Sequence, residues 1–191
     1  MLRPRRIFRS SGSPVLSRTL RRALLAGAGL LAAIVAAVAG LPSDALRAPG
    51  PVSGQMAGDP ASVRVVDGDT LRIGETTIRL MGLDAPERGQ TCRRADGTSF
   101  DCGAAATDVL AGLVRDRRVD CRLRGADRYG RSLAICQAGG RELNSALVSS
   151  GFALARTELP PLEVLEAEAR AARRGLWATA FERPDAWRRD H

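Results

Sequence analysis

The stretch from Val65 to Glu87 constrains this chain most, because it places carboxylates inside a run of strand-forming residues. Val65-Val66 and Leu71-Arg72-Ile73 flank the turn dipeptide Asp67-Gly68, and Thr76 to Leu83 alternates as a strand does. The pattern predicts three short strands with tight connections. On the third, Ile78 and Leu80 share one face and Arg79 points to the other, since successive strand side chains alternate. Asp84-Ala85-Pro86-Glu87 breaks the pattern immediately afterwards. Asp69, Asp84 and Glu87 are thereby drawn towards one guanidinium.

Three acids and an arginine suit the attack of water on a phosphodiester. Hard oxygen ligands favour Ca²⁺ or Mg²⁺, a further carboxylate can take a proton from water, and an arginine fork matches two phosphate oxygens. Taken singly, each feature has an ordinary structural explanation: Asp-Gly is a common hairpin turn, Asp caps loops, and strand arginines are usually solvated.

The chain has 191 residues, enough for one domain with appendages. Its net charge of +8 is unevenly spread. Residues 1–43 carry seven Arg and no acid, which leaves 22 Arg against 21 acids in residues 44–191. Charge alone therefore gives no argument that the body binds nucleic acid. The basic amino terminus reads as a targeting device. After a charged lead, residues 1–22, come 19 uncharged residues from Ala23 to Leu41, about the length that crosses a bilayer core. Arginines on the amino side place that side in the cytoplasm and the body outside. Ala37-Val38-Ala39 offers a signal cleavage site, while the length of lead and core favours an uncleaved anchor. Arg21-Arg22 is also a weak twin-arginine export signal.

Residues 42–61 are rich in Pro and Gly and read as a polar spacer, with the folded domain expected over 62–178 and a tail over 179–191. Arg88 to Phe100 reads as a polar loop, and Ala104 to Val114 as a helix with Ala106, Val109, Leu110 and Leu113 on one face. Two more strands, Arg118 to Leu123 and Arg131 to Cys136, flank the charged turn Asp127-Arg128-Tyr129-Gly130-Arg131. Leu143 to Val148 and Leu162 to Arg174 are helical, the second closed by Gly175. The expected fold is α+β, mainly β: a five-stranded barrel of the oligonucleotide/oligosaccharide-binding (OB) type with three helices, preceded by a transmembrane or signal segment.

Cys92, Cys102, Cys121 and Cys136 form no Cys-x-x-Cys pair, so disulfides outside the cytoplasm are a better reading than zinc. Cys92 and Cys102 bracket a polar loop, and Cys121 and Cys136 lie in the two strands around the 127–131 turn, so the expected bridges are Cys92–Cys102 and Cys121–Cys136. The sole histidine, His191, is the last residue, which removes histidine triads and di-histidine metal sites.

Val66-Asp67-Gly68-Asp69-Thr70-Leu71, Ile78 to Glu87, Asp127 to Arg131 and Gly175-Leu176-Trp177 together resemble the thermonuclease (staphylococcal nuclease) family across about residues 62–178. The resemblance implies an OB-fold, Ca²⁺-dependent endonuclease that acts on DNA and RNA and leaves 3′-phosphate ends. It also implies that Asp69 and Asp84 supply carboxylate ligands to Ca²⁺ and that Ala85 supplies its main-chain carbonyl. Glu87 would serve as general base, and Arg79 and Arg131 would bind the scissile phosphate. Arg128 and Tyr129 are candidate nucleotide contacts. Ala85 stands where threonine is common in the family, a change the main chain tolerates. The segment Gly151 to Thr157 lacks the family's nucleotide-packing tyrosines. The alternative is a non-catalytic binding barrel, against which the retained acids and arginines argue.

Overall fold

The computed structural model describes residues 53–191. The basic lead, the apolar segment 23–41 and the start of the spacer lie outside the described residues, and with them the expectation of an anchor or signal. Among the described residues no helix is long and apolar enough to cross a membrane.

All five expected strands form: β2 Val63–Asp67, β3 Thr70–Ile73, β4 Thr76–Leu80, β8 Val119–Ala126 and β9 Ser132–Ala138. Two further strands join the same sheet, β1 Ser53–Gly58 and β10 Arg141–Glu142. The order is β1-β8-β9-β4-β3-β2, with β10 on β9, and every pair is antiparallel except β4 with β9. The edge strands β1 and β2 do not pair with each other, so the sheet curls into a half-barrel and is not a closed five-stranded barrel. β1 lies within the expected spacer. Only Gly58 of it is buried, so it has no apolar period, and it is held by its ladder to β8.

The third strand stops earlier than the alternation suggested. β4 ends at Leu80, Met81-Gly82 turns with Gly82 at φ +80°, and β5 Leu83–Asp84 re-pairs with β11 Leu154–Ala155. The expected polar loop after Arg88 is a small hairpin, β6 Thr91–Arg93 with β7 Ser99–Asp101. Its turn is closed by the Asp96 carboxylate, which accepts bonds from the Thr98 N–H and O–H at 2.9 and 2.7 Å.

Helix α1, Cys102–Val114, buries Ala106 and Leu110 and is capped by Asp101, which accepts from the Ala104 N–H at 2.7 Å, worth about 1 kcal/mol. Helices α2 Leu143–Ser149 and α3 Pro160–Ala171 follow as expected. A fourth helix, α4 Pro184–Asp190, occupies what was expected to be tail. It carries the usual signature of a short helix: Pro at its start, Asp185 in the first turn, and Arg188 and Arg189 in the last. The core lies between the concave sheet face and α1, α2 and α3. It is centred on Leu71, Ile78, Leu80, Leu110, Val119 and Leu147, each adding roughly 1.5–3 kcal/mol on burial.

Both expected disulfides are present, Cys92–Cys102 and Cys121–Cys136. Cys121 and Cys136 stand directly opposite each other in the β8–β9 ladder and lie in the core. Gly151 and Gly175 cross so closely that a Cβ on either would strike the other segment's backbone, and the Leu176 N–H donates to the Gly151 carbonyl at 3.0 Å. The Gly175-Leu176-Trp177 motif is therefore a packing device: Leu176 is fully buried behind the crossing.

Candidate active site

The acids meet because two turns and one strand converge. Asp69 sits in the turn between β2 and β3, Asp84 ends β5, and Arg79 projects from β4 between them. Arg79 Nη1 donates to Asp69 Oδ1 and Nη2 to Asp84 Oδ1, both at 2.8 Å. One guanidinium thus spans two carboxylates that are only 3% and 4% exposed. Asp69 also accepts from the Thr70 O–H at 2.9 Å and the Ala85 N–H at 3.2 Å. Burial nonetheless pushes the Asp69 carboxyl up to about 7, and the negative charge of Asp67 adds to this. Arg79 and the bonds from Ala85 and Thr70 pull the other way without cancelling it.

Glu87 is positioned by Gln90, a residue without a motif of its own. Gln90, fully buried, accepts from the Glu87 N–H through Oε1 at 3.0 Å and donates through Nε2 to the Glu182 carbonyl at 2.7 Å. Its own carbonyl accepts from the Cys102 N–H at the start of α1 at 2.9 Å. Gly103 lets α1 approach this turn, since a Cβ there would overlap the Glu87 carbonyl. A buried, fully bonded Gln beside the Glu87 turn leaves no sequence trace, because an exposed loop Gln looks the same.

The second expected arginine arrives on the 127–131 turn. Asp127 accepts from the Arg131 N–H at 3.0 Å, from Arg131 Nε at 2.7 Å and from the Tyr129 N–H at 2.9 Å. Burial works against ionisation of Asp127, yet these bonds hold its carboxyl below the ordinary carboxylate range. Tyr129 is 68% exposed at the tip, with the Arg128 guanidinium 4.8 Å above its ring and that of Arg131 at 5.6 Å. Arg79, Glu87, Arg128, Tyr129 and Arg131 line a single cleft of about 890 Å³. Asp69, Asp84 and Ala85 are buried and do not line it.

Part of the cover over Asp84 is Arg188 of α4, in the segment expected to be tail. Arg188 Nη2 donates to Asp84 Oδ2 at 2.8 Å, Nη1 to Asp84 Oδ1 at 3.0 Å, and Nη1 also pairs with Glu87 Oε1. The bonds to Asp84, then those to Glu87, raise the already high pKa of this guanidinium despite its partial burial. The signature of α4 was legible; its reach across 104 positions to Asp84 was not.

Among the described residues no group of three or more His, Cys, Asp or Glu is gathered to hold a metal. The donors on offer are the Asp69 and Asp84 carboxylates, bridged by Arg79. Hard oxygens of this kind fit Ca²⁺, which accepts a partial protein sphere completed by water. The raised pKa of Asp69 marks a carboxylate whose burial Arg79 does not fully offset, and a divalent cation would offset it.

A curled, mainly β half-barrel with buried aspartates, a glutamate and arginines at one cleft defines a hydrolase of the phosphodiesterase class. The model of the Staphylococcal nuclease homologue family matches residues 77–179, just over half of the chain, and the chain belongs to that family. Among its relatives, an "Uncharacterized endonuclease" of Escherichia coli O157:H7 is 36% identical over 135 residues, 66% of this chain and 82% of that protein. The "Micrococcal nuclease" of Shigella flexneri is 33% identical over 146 residues, 66% of this chain and 78% of that one. The "Succinoglycan biosynthesis protein ExoI" of Rhizobium meliloti is 38% identical over 94 residues, and the chain spans 49% of its length.

Proposed function

We propose that this protein is a Ca²⁺-dependent endonuclease that hydrolyses DNA, RNA or both to 3′-phosphate ends, acting outside the cytoplasm. The observation that carries the reading is the Arg79 guanidinium bridging Asp69 and Asp84 beside Glu87, in a cleft that Arg131 also reaches. Asp69, Asp84 and the Ala85 carbonyl would hold the cation, which when bound would supply positive charge beside the scissile phosphate and the attacking water. Glu87 takes the proton of that water as its oxygen bonds to phosphorus. Arg79 and Arg131 fork onto the phosphate oxygens and stabilise the charge that builds there, while the bond to the 5′ oxygen breaks and that oxygen takes its proton from solvent water. Arg128 and Tyr129 contact the nucleotide at the rim. The two disulfides and the apolar segment 23–41 support a body exported from the cytoplasm, tethered by that segment or released after cleavage.

Plasmid nicking with Ca²⁺ and with chelator, run on the wild type and Glu87→Gln, tests the reading. We expect cleavage only with Ca²⁺, and a loss of ~10²–10⁴-fold in turnover in the variant with Ca²⁺ binding retained. Equal turnover in the variant refutes the role of Glu87. Undiminished cleavage under chelation refutes the cation.

A further inference from the structure

Resting on that reading, we propose that Arg188 is a third arginine for the substrate phosphate, held on Asp84 and Glu87 until a cation takes Asp84. In the structure both oxygens of Asp84 are engaged: Oδ1 accepts from Arg79 at 2.8 Å and Arg188 at 3.0 Å, and Oδ2 from Arg188 at 2.8 Å. Glu87 Oε1 is paired with the same Arg188 nitrogen. A cation on Asp84 sets a second positive charge against the Arg188 guanidinium on the same oxygens, and a proton taken by Glu87 cancels the charge that pairs Arg188 there. Both weaken the hold on Arg188. Arg79 can stay, since it holds Asp84 through one nitrogen only and keeps Asp69 with the other.

The released guanidinium remains at the cleft. Its side chain is 36% exposed and lines the same cleft as Arg79 and Arg131. The planar fork that fits a carboxylate fits the two non-bridging oxygens of a phosphodiester equally well. The other α4 arginine in the cleft, Arg189, is occupied by Asp185 at 3.2 Å, so Arg188 alone makes this exchange. The helix need not leave. Gln90 holds the Glu182 carbonyl, Arg93 and Ala180 exchange two backbone bonds at 2.9 and 2.8 Å, and Pro184 is buried, all independently of the Asp84 pair. α4 therefore remains anchored while the long Arg188 side chain swings.

Cation and Arg188 then compete for Asp84, whereas phosphate and Arg188 attract. Removing Arg188 must tighten one ligand and loosen the other, and a helix that merely blocks the cleft cannot produce that pair of signs. The test is calorimetric titration of the full chain, wild type, Arg188→Gln and Arg188→Lys, first with Ca²⁺ alone and then, at saturating Ca²⁺, with thymidine 5′-monophosphate, which has no diester to cleave. For Arg188→Gln we expect Ca²⁺ to bind on the order of tenfold tighter and the nucleotide roughly 10- to 100-fold weaker, the worth of one or two charge-assisted hydrogen bonds. Arg188→Lys keeps the competing charge without the fork, so its Ca²⁺ affinity stays near wild type and its nucleotide affinity falls. Thermal melts that match the wild type show that the helix remains in place. Nucleotide binding that is unchanged or tighter in Arg188→Gln overturns the proposal in favour of a blocking helix. Unchanged Ca²⁺ affinity overturns the competition. A wild type that cleaves DNA with Ca²⁺ while Arg188→Gln behaves identically removes only the role of Arg188, whereas a wild type that binds no Ca²⁺ removes the cofactor and this proposal together.

Discussion

Asp69 makes the stability of the cation-free protein fall as pH rises, the reverse of what most carboxylates do. Its ordinary pKa is 3.8 and burial lifts it to about 7 in the folded state. Between those values the folded protein keeps a proton that the unfolded chain has lost, so stability drops through a window from about pH 4 to about pH 7. At about 1.4 kcal/mol per unit, the gap of about three units sets a ceiling of about 4 kcal/mol. Asp185, bonded by Arg189, and Asp127, bonded by Arg131 against its burial, are shifted down instead. Their contributions disappear only as pH falls below the ordinary carboxylate range, so the windows do not overlap. The assay is urea unfolding under chelation at about pH 5, 6, 7 and 8, comparing wild type with Asp69→Asn, which keeps the shape and cannot ionise. The stability difference between the two should shift against the wild type across the window. Excess Ca²⁺ should flatten the wild-type slope, with close to one proton released per ion near pH 6 by calorimetry in two buffers. Parallel curves for the two proteins would mean that Arg79 keeps Asp69 ionised throughout, and the argument fails.

Arg79→Lys should lose on the order of 10²–10³-fold in turnover, because one ammonium cannot reach both Asp69 and Asp84 and fork a phosphate as well; steady-state kinetics with near-normal rates would contradict this. Gln90→Leu should destabilise by about 1–3 kcal/mol and lower kcat more than it raises KM, since the Glu87 N–H and Glu182 carbonyl lose their buried partner; urea melts and kinetics check both. Replacing Cys121 and Cys136 by Ala should lower stability by about 3 kcal/mol in the chain-entropy account, for a sequence separation of 15, read from the denaturation midpoint of oxidised protein.

The strands and acids were legible in the sequence because their signals are local. Alternation marks Thr76 to Leu80, and a turn dipeptide marks the approach to Asp69. Cysteine pairing was legible for the same reason: each pair flanks one short connection. What escaped notice lacks an apolar period or acts at long range. β1 is built from residues such as Ser53, Gly54 and Gln55, which gain only backbone bonds at a sheet edge. Gln90 works through its amide and buries no apolar face. Arg188 sits on a solvent-like helix of seven residues whose partners lie 101 and 104 positions away. No pattern within one element could have pointed across that separation.

The parallel pairing of β4 with β9 also decides when the cleft comes into being as the chain folds. Its contacts, Ile78 with Ser132 to Leu80 with Ala134, close a crossover of more than fifty residues, whereas β3–β4 and β8–β9 are hairpins that can form locally. Long-range closure is the slow event in such a topology. Arg79 rides on one side of that closure and Arg131 immediately precedes the other, so the two guanidiniums meet only when the crossover has closed. A nascent or proteolysed chain carries the acids on one piece and Arg131 on another. Phosphodiester cleavage should therefore switch on as a single step with completion of the sheet, and no fragment that ends before β9 should show it.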